Sequence, residues 1–480
     1  REGGIGLVGV VQAQYLSEMV IEHASGTSAS TIDAITNAIV AFAFRLFQRP
    51  LSNASRDALT ARILDALGCS VAACHEPDVR RVAQAIGAVS GNGECAVLFN
   101  GRATSEQAAF INGMMIRLFD WNDTYVGKNG GHPSDLIAVA LAVGEKNNKN
   151  GDEVMRALAV GHHLMLDMCD GSNALSRGWD HATYVGIGAV VIAGLLSDLD
   201  RAQLANAISM MAASNNMLLS RTGTVSQWRS LASPHAGRNA VFVASLAKAS
   251  VSGPDPAFEG KQGFLDVISG EMTLQLDVAR ERSGDSHLKR FPAVFHAQAP
   301  IELALAMRAE IAARHGNRDI GALIDEVIVS THAFAIKWAA ATEYLWRPEN
   351  RETADHSIPF MVALALCRGE VTHDNIEPAI HDPAVLALTR KVVVREDASH
   401  SEHWPAQANA RLAITMGGQT LERDIVAGSG HASNPLHPED RARKLVENAT
   451  PVIGADRAKT WAGKIECFAA LSSLDGVLAP

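Results

Sequence analysis

Between Asn112 and Ser134 the chain reads NGMMIRLFDWNDTYVGKNGGHPS. Carboxylates (Asp120, Asp123), an amide (Asn122), a hydroxyl (Thr124) and an imidazole (His132) gather there, between the end of one helical pattern and the start of the next. Phe119, Trp121 and Tyr125 are interleaved with them, in a chain whose aromatic content is only 5%. Polar groups set in an apolar wall suit a small-molecule pocket. The plainer alternative is a capped turn, because Asp, Asn, Thr and Gly are ordinary turn residues.

Three further stretches carry similar chemistry. Ser176 to Thr183 (SRGWDHAT) places Arg177, Asp180 and His181 before an alanine- and glycine-rich helix. Such a helix start favours an anion, although Asp180 or Thr183 could merely cap it. Ser220 to Asn239 contains Arg221, Arg229, His235 and Arg238. Arginine grips carboxylates bidentately; pairing with the chain's own excess acids is the competing use. Lys289 to Gln298 (KRFPAVFHAQ) is a basic, aromatic turn where a second domain is expected to begin. Lys289 and His296 are candidates there for a substrate clamp, though a lone histidine is more often a satisfied core residue. Arg351 to His356 (RETADH) opens another helix with an acidic first turn.

His162 and His163 are neighbours inside a helix, so their rings point apart and form no metal pair. The zinc-protease HExxH, the GxSxG elbow, the phosphate loop and the dinucleotide fingerprint are all missing from the sequence. Cys69, Cys74, Cys95, Cys169, Cys367 and Cys467 are scattered without CxxC spacing. They read as reduced thiols in a reducing compartment, with no metal or iron–sulfur site.

These groups must be positioned by a sizeable scaffold. The chain has 480 residues, 47% hydrophobic and 20% charged, which is a globular composition. A net charge of −10 argues against nucleic-acid and anionic-membrane partners. No run of 18 or more apolar residues is present to span a bilayer. From about Ser30 to Ala249 nearly every segment shows helical periodicity: Ile32–Leu46, Arg56–Val71, Asp152–Cys169, Ala182–Leu196 and Leu204–Met217. After Gly270 the pattern changes. Glu326–Thr331 and Lys391–Arg395 read as strands, and Arg411–Val426 as a hairpin about Gly417-Gly418. Helices are expected between them at Pro300–Arg314 and Ile358–Leu366, and again from Glu439 onward. The fold class is therefore mainly α: a large all-helical domain plus a smaller α+β lid domain. The expected boundaries are a peripheral arm at 1–35, a helical domain at 36–275, the lid at 276–430, and helices rejoining the first domain at 431–480.

Taken in order, these stretches resemble the MmgE/PrpD family, and within it the 2-methylcitrate dehydratase branch. The matching residues are Asp120-Trp121-Asn122-Asp123-Thr124, Gly131-His132-Pro133-Ser134, the loop histidine His181, Phe291 to Gln298, and Asp355-His356-Ser357-Ile358 with Phe360. Members of that family act on small polycarboxylates, as a dehydratase, a cis-aconitate decarboxylase or an iminodisuccinate epimerase. The resemblance implies a homodimer without metal or organic cofactor, cytoplasmic or, in a eukaryote, in the mitochondrial matrix. It also implies that Asp120, His132 and His181 are active-site positions. Two positions depart from the pattern. Arg229 stands where many members have a lysine, and Val294 where the decarboxylase branch has a histidine.

The expected reaction is dehydration of a hydroxy-tricarboxylate, 2-methylcitrate to 2-methyl-cis-aconitate. His132 and His181 would share the base and acid roles, with Asp120 orienting one ring or joining the proton relay. Arg177, Arg229, Arg238 and Lys289 would hold carboxylates, with Asn122, Thr124 and His296 as further substrate contacts. The alternatives are decarboxylation or epimerisation of a related polycarboxylate, or a non-catalytic carboxylate-binding homologue.

Overall fold

The computed structural model describes residues 33–87, 93–220, 225–316 and 319–479. Residues 1–32 of the expected arm, and Arg221, lie outside the described residues.

Side-chain caps set the starts of the helices. Asp33 accepts a hydrogen bond from the Thr36 amide (2.8 Å) and opens α1 (Ala34–Phe47). Ser52 caps α2 (Asn53–Ala73) in the same way, and α3 (Pro77–Ala85) begins at a proline. Thr104 caps α4 (Ser105–Arg117), which leads to α5 (Ile137–Lys146) through a 3-10 turn at Pro133–Leu136. Reciprocal Asn150/Glu153 and Asp200/Gln203 boxes start α6 (Gly151–Gly171) and α8 (Arg201–Ser214). Between them α7 (Ala182–Leu196) is apolar all round and buried along its whole length. That is the character of a central helix, and α5, α6, α8 and α9 (Ala232–Lys248) surround it. Helices α6 and α7 pass closely where both are glycine: a Cβ on Gly161 would stand 3.3 Å from the Gly188 carbonyl.

Two short hairpins interrupt this helical body. β1 (Cys95–Val97) pairs with β2 (Gly101–Ala103), and β3 (Tyr125–Val126) with β4 (Gly130–Gly131). Neither was expected, because two or three residues are too few to show a strand period. The second hairpin folds the chain back so that Tyr125 faces Gly131.

A second apolar core runs from Phe291 to Ile414. It is built on α10 (Phe295–His315), α14 (Ile358–Arg368) and a four-stranded sheet, with α11 (Ile320–Leu323), α12 (Ala333–Ala339) and α13 (Arg351–Ala354) between them. Three short helices follow: α15 (His373–Ala379), α16 (Pro383–Thr389) and α17 (Ala398–His403). The sheet order is β6 (Val392–Glu396), β5 (Glu326–Thr331), β7 (Ala410–Met416), β8 (Gln419–Ile425). β5 and β6 are parallel and the other pairs antiparallel. Val327 and Val329 face Ile414 and Leu412 across β5–β7, and all four are fully buried. Gly417 and Gly418, both at positive φ, turn the β7–β8 hairpin as its sequence requires. Helix α10 begins at Phe295 rather than at Pro300, which sits inside it. His296 therefore lies in a helical first turn, not in a loop.

Helices α18 (Arg443–Ile453) and α19 (Ala455–Glu466) return to α2, where Leu445, Ala449, Trp461 and Ile465 join the first core. The protein is thus mainly helical with a small mixed sheet. No helix among the described residues is long and apolar enough to cross a membrane.

Candidate active site

The chain crosses from the first core to the second directly above the β3–β4 hairpin. Thr124 and His287 exchange backbone hydrogen bonds there, at 2.8 and 2.6 Å. A cavity of about 150 Å³ opens at this junction. Asp120, Thr124, His132, His181, Lys289 and His296 all line it, joined by Arg117 and His356.

Asp120 follows the end of α4 with φ 48°, a left-handed turn that Asp tolerates better than most residues. The turn aims its buried carboxylate at three cations: Lys289 Nζ at 2.8 Å, Arg229 Nη1 at 3.2 Å and Arg117 Nη1 at 3.6 Å. Burial opposes its ionisation, but Lys289, His356, Arg229 and Arg117 outweigh burial and hold its carboxyl well below the usual range. Lys289 is itself buried, and burial pulls its ammonium below the ordinary lysine value despite Asp120. Arg229 also reaches Asp355 (Nη2 to Oδ2, 3.2 Å), whose other oxygen lies 2.5 Å from His356 Nδ1. The result is a continuous polar network from Lys289 to His356. Asp120 serves these cations, and the two imidazoles are oriented by other groups.

His132 is held through Nδ1, 2.6 Å from the Asp123 backbone carbonyl. A carbonyl only accepts, so Nδ1 carries the proton and Nε2 of the neutral ring keeps its lone pair. Burial first, then Arg117, His181 and Lys289, push this imidazole well below its ordinary pKa. Asp123 itself is locked by the Ser134 amide (3.0 Å) and the Ser286 hydroxyl (2.6 Å).

His181 stands just before α7, and its environment is the opposite. Nδ1 lies 2.9 Å from Asp180 Oδ1, and Nε2 lies 3.2 Å from Ser233 Oγ and 3.5 Å from Asp135 Oδ2. Burial opposes the charged form, but Asp180 and Asp135 prevail and raise the pKa to about 9. At neutral pH one ring of the pair is a free base and the other an imidazolium.

The remaining expected site residues fall elsewhere. Asn122 is buried behind the wall, accepting from Arg117 Nη1 (3.1 Å) and donating to Ser134 Oγ (2.8 Å). Arg229 borders a neighbouring cavity rather than this one. Arg177 is exposed and donates to the Asp266 carbonyl (2.6 Å). Arg238 is exposed on α9 beside Asn239. These two arginines sit on helix ends or faces that the fold turns outward, so neither is brought to the cavity. The sequence reading passed over Arg117, Asp135 and His356 as site candidates. Arg117 had a usable signal: a charge inside the apolar run MMIRLF, which folds to burial and so demands a partner. Among the described residues no three His, Cys, Asp or Glu side chains converge as a metal site would need.

The MmgE/PrpD N-terminal domain model matches residues 37–277, and the MmgE/PrpD C-terminal domain model matches residues 291–469. The chain is 28% identical over 418 residues to the 2-methylcitrate dehydratase of Escherichia coli K12, covering 80% of this chain and 83% of that protein. It is 28% identical over 382 residues to the 2-methylcitrate dehydratase of Salmonella typhimurium LT2, covering 74% and 76%. With the mitochondrial 2-methylcitrate dehydratase of Yarrowia lipolytica it shares 26% identity over 426 residues, covering 82% and 78%.

Proposed function

The chain belongs to the MmgE/PrpD family, and we propose that it is a hydro-lyase that dehydrates 2-methylcitrate to 2-methyl-cis-aconitate without a metal or organic cofactor. The relatives named 2-methylcitrate dehydratase support that class of reaction. The observation that carries the reading is the juxtaposition of a neutral and a charged imidazole on one cavity wall, with ring centroids 5.1 Å apart.

Elimination needs a base for the carbon-bound proton beside a carboxylate and an acid for the departing hydroxyl. His132, neutral with a free Nε2, takes the proton. His181, already protonated, gives its proton to the leaving oxygen, which departs as water. The substrate keeps the electron pair of the broken C–H bond as the new C=C bond. After turnover the two rings have exchanged protonation states and reset by proton exchange with solvent. Negative charge grows on the carboxylate beside the reacting carbon, and Lys289 and Arg117 face the cavity to stabilise it. Thr124, His296 and His356 complete the wall against which the substrate is oriented. Asp120 keeps the cations in place and lowers their combined charge before substrate arrives.

The second core and its sheet act as the lid: His296, Phe334, Trp338 and His356 close one side of the cavity. We also place the protein as a cytoplasmic homodimer, or in the mitochondrial matrix in a eukaryote. Trp228, on the 3-10 turn Gln227–Ser230 before α9, and Phe242, on α9 itself, are exposed large apolar side chains that support a partner surface on this helix. Native mass measurement checks it.

The test is ultraviolet absorbance after adding purified protein to 2-methylcitrate with chelator present. A rise from the conjugated alkene is expected. No rise with 2-methylcitrate or citrate, together with carbon dioxide release or epimerisation from another polycarboxylate, would replace the dehydratase assignment.

A further inference from the structure

Asp135 does not line the cavity. It is the third residue of the turn Pro133–Leu136, and its side chain is fully buried. Neither carboxylate oxygen has a hydrogen bond among the described residues. Its charged neighbours are Arg117, whose Nε lies 3.5 Å from Oδ1, and His181, whose Nε2 lies 3.5 Å from Oδ2. A buried carboxylate without tight hydrogen bonds is costly to the fold. What the carboxylate does is touch two groups of the cavity wall at once.

We propose that Asp135 is a positioning residue for the elimination, clamping the His181 ring from the edge opposite Asp180 so that this ring holds its proton when substrate arrives. The inference rests on the dehydratase reading for its consequence in turnover, and on geometry alone for the state of the ring.

An imidazolium donates from both nitrogens, and here each nitrogen faces a carboxylate: Asp180 at Nδ1 and Asp135 at Nε2. Without Asp135, Nε2 keeps only the Ser233 hydroxyl, 3.2 Å away. A hydroxyl accepts or donates equally well, so the neutral ring becomes just as well satisfied. Around His181 stand Asp180 from its own loop, Asp135 from the turn, His132 from the preceding loop and Ser233 from α9, and Arg117 from the end of α4 lies against Asp135. His132 is uncharged at neutral pH, and Arg117 is offset by Asp135 and Asp120. Removing the Asp135 charge therefore acts twice in one direction. It deletes an anion beside the ring and leaves the nearby guanidinium less compensated.

The experiment is the Asp135→Asn variant, followed by NMR titration of the His181 ring in the whole protein and by the pH dependence of kcat/KM with 2-methylcitrate. The expected result is a His181 pKa lower by about 1–3 units than in the unaltered protein, with the alkaline limb of kcat/KM moving down by the same amount. Asp135→Glu, which keeps the charge, should restore most of the original titration. An unmoved titration and an unmoved limb in Asp135→Asn, even with lower kcat, would overturn the proposal. If Asp135→Asn does not fold, Asp135→Ser, which also lacks the charge, decides: a His181 titration that stays where it is in the unaltered protein overturns the clamp. The ring titration needs no turnover, so failure of the dehydratase reading shows as absent product with the titration shift intact.

Discussion

His132 and His181 meet edge to face, their centroids 5.1 Å apart and their planes at 67°, yet one is held by a backbone carbonyl and the other by carboxylates. Two identical side chains thus receive different jobs from their surroundings, as general acid–base pairs require. Replacing the base should remove most of the rate. His132→Gln is expected to lower kcat by about 10²–10⁴-fold while leaving the circular dichroism spectrum unchanged. Turnover within a fewfold of the original would remove His132 from the chemistry.

The pH dependence follows from the same pair. Activity needs His132 neutral and His181 protonated. The His132 value is held well below 6.5 and the His181 value is raised to about 9. The kcat/KM profile should be flat through neutrality and fall on an alkaline limb near pH 9. A single fall with rising pH near 6.5 would contradict the assignment. The two rings interact, so the limbs report the pair. Stability follows the same sign. A folded pKa raised above the unfolded value stabilises fully below about pH 6.5, and His181 loses that contribution as pH rises through about 9. Thermal melts at pH 7 and pH 10 measure it.

Asp120 is the hub of the buried charges, so its neutralisation should cost stability more than geometry. Asp120→Asn keeps the shape but leaves Lys289, Arg229 and Arg117 facing an uncharged amide. Breaking a buried ion pair from one side costs about 3–5 kcal/mol. Urea unfolding should show a loss of that order. Adding Lys289→Met should recover part of it, because the two sites share one interaction. Strictly additive losses would disprove the hub. The folded Asp120 carboxyl is depressed, so its stabilisation is present above about pH 3.9 and is lost only as pH falls towards the lower folded value.

Much of this was legible from residue order, and the remainder for physical reasons was not. α7 was readable to the residue at Ala182–Leu196, and β5 at Glu326–Thr331, because long apolar runs and β-branched alternation are local signals. The two small hairpins were not, since β3 and β4 exist only because Tyr125 and Gly131 meet in register. Among site candidates, Asp120, His132, His181, Lys289 and His296 converge on one cavity although up to 176 positions separate them (Asp120 to His296, 296 minus 120). Arg177 and Arg238 looked equivalent to Arg229 by charge alone. Which arginine points inward is decided by helix rotation and by partners elsewhere in the chain: Asp266 for Arg177, Asp355 for Arg229.

Arg229 supplies the last prediction, because its chemistry and its position pull in different directions. A lysine at this place could carry a proton or meet substrate; an arginine does not release its proton near neutral pH. Here the guanidinium spans Asp120 and Asp355, 3.2 Å from each. It borders the neighbouring cavity rather than the one lined by the two imidazoles. Its use is to tie the end of α4 to the turn before α14, across the two cores. An ammonium has no fork and reaches one carboxylate at a time. Arg229→Lys should therefore lose about 1.5–3 kcal/mol of stability, the worth of one charge-assisted hydrogen bond. The kinetics should change little, with kcat/KM falling less than tenfold, or about 1.4 kcal/mol. A large rise in KM with kcat unchanged and stability intact would instead mean that Arg229 grips the substrate directly. Denaturant unfolding and steady-state kinetics on the same variant separate the two.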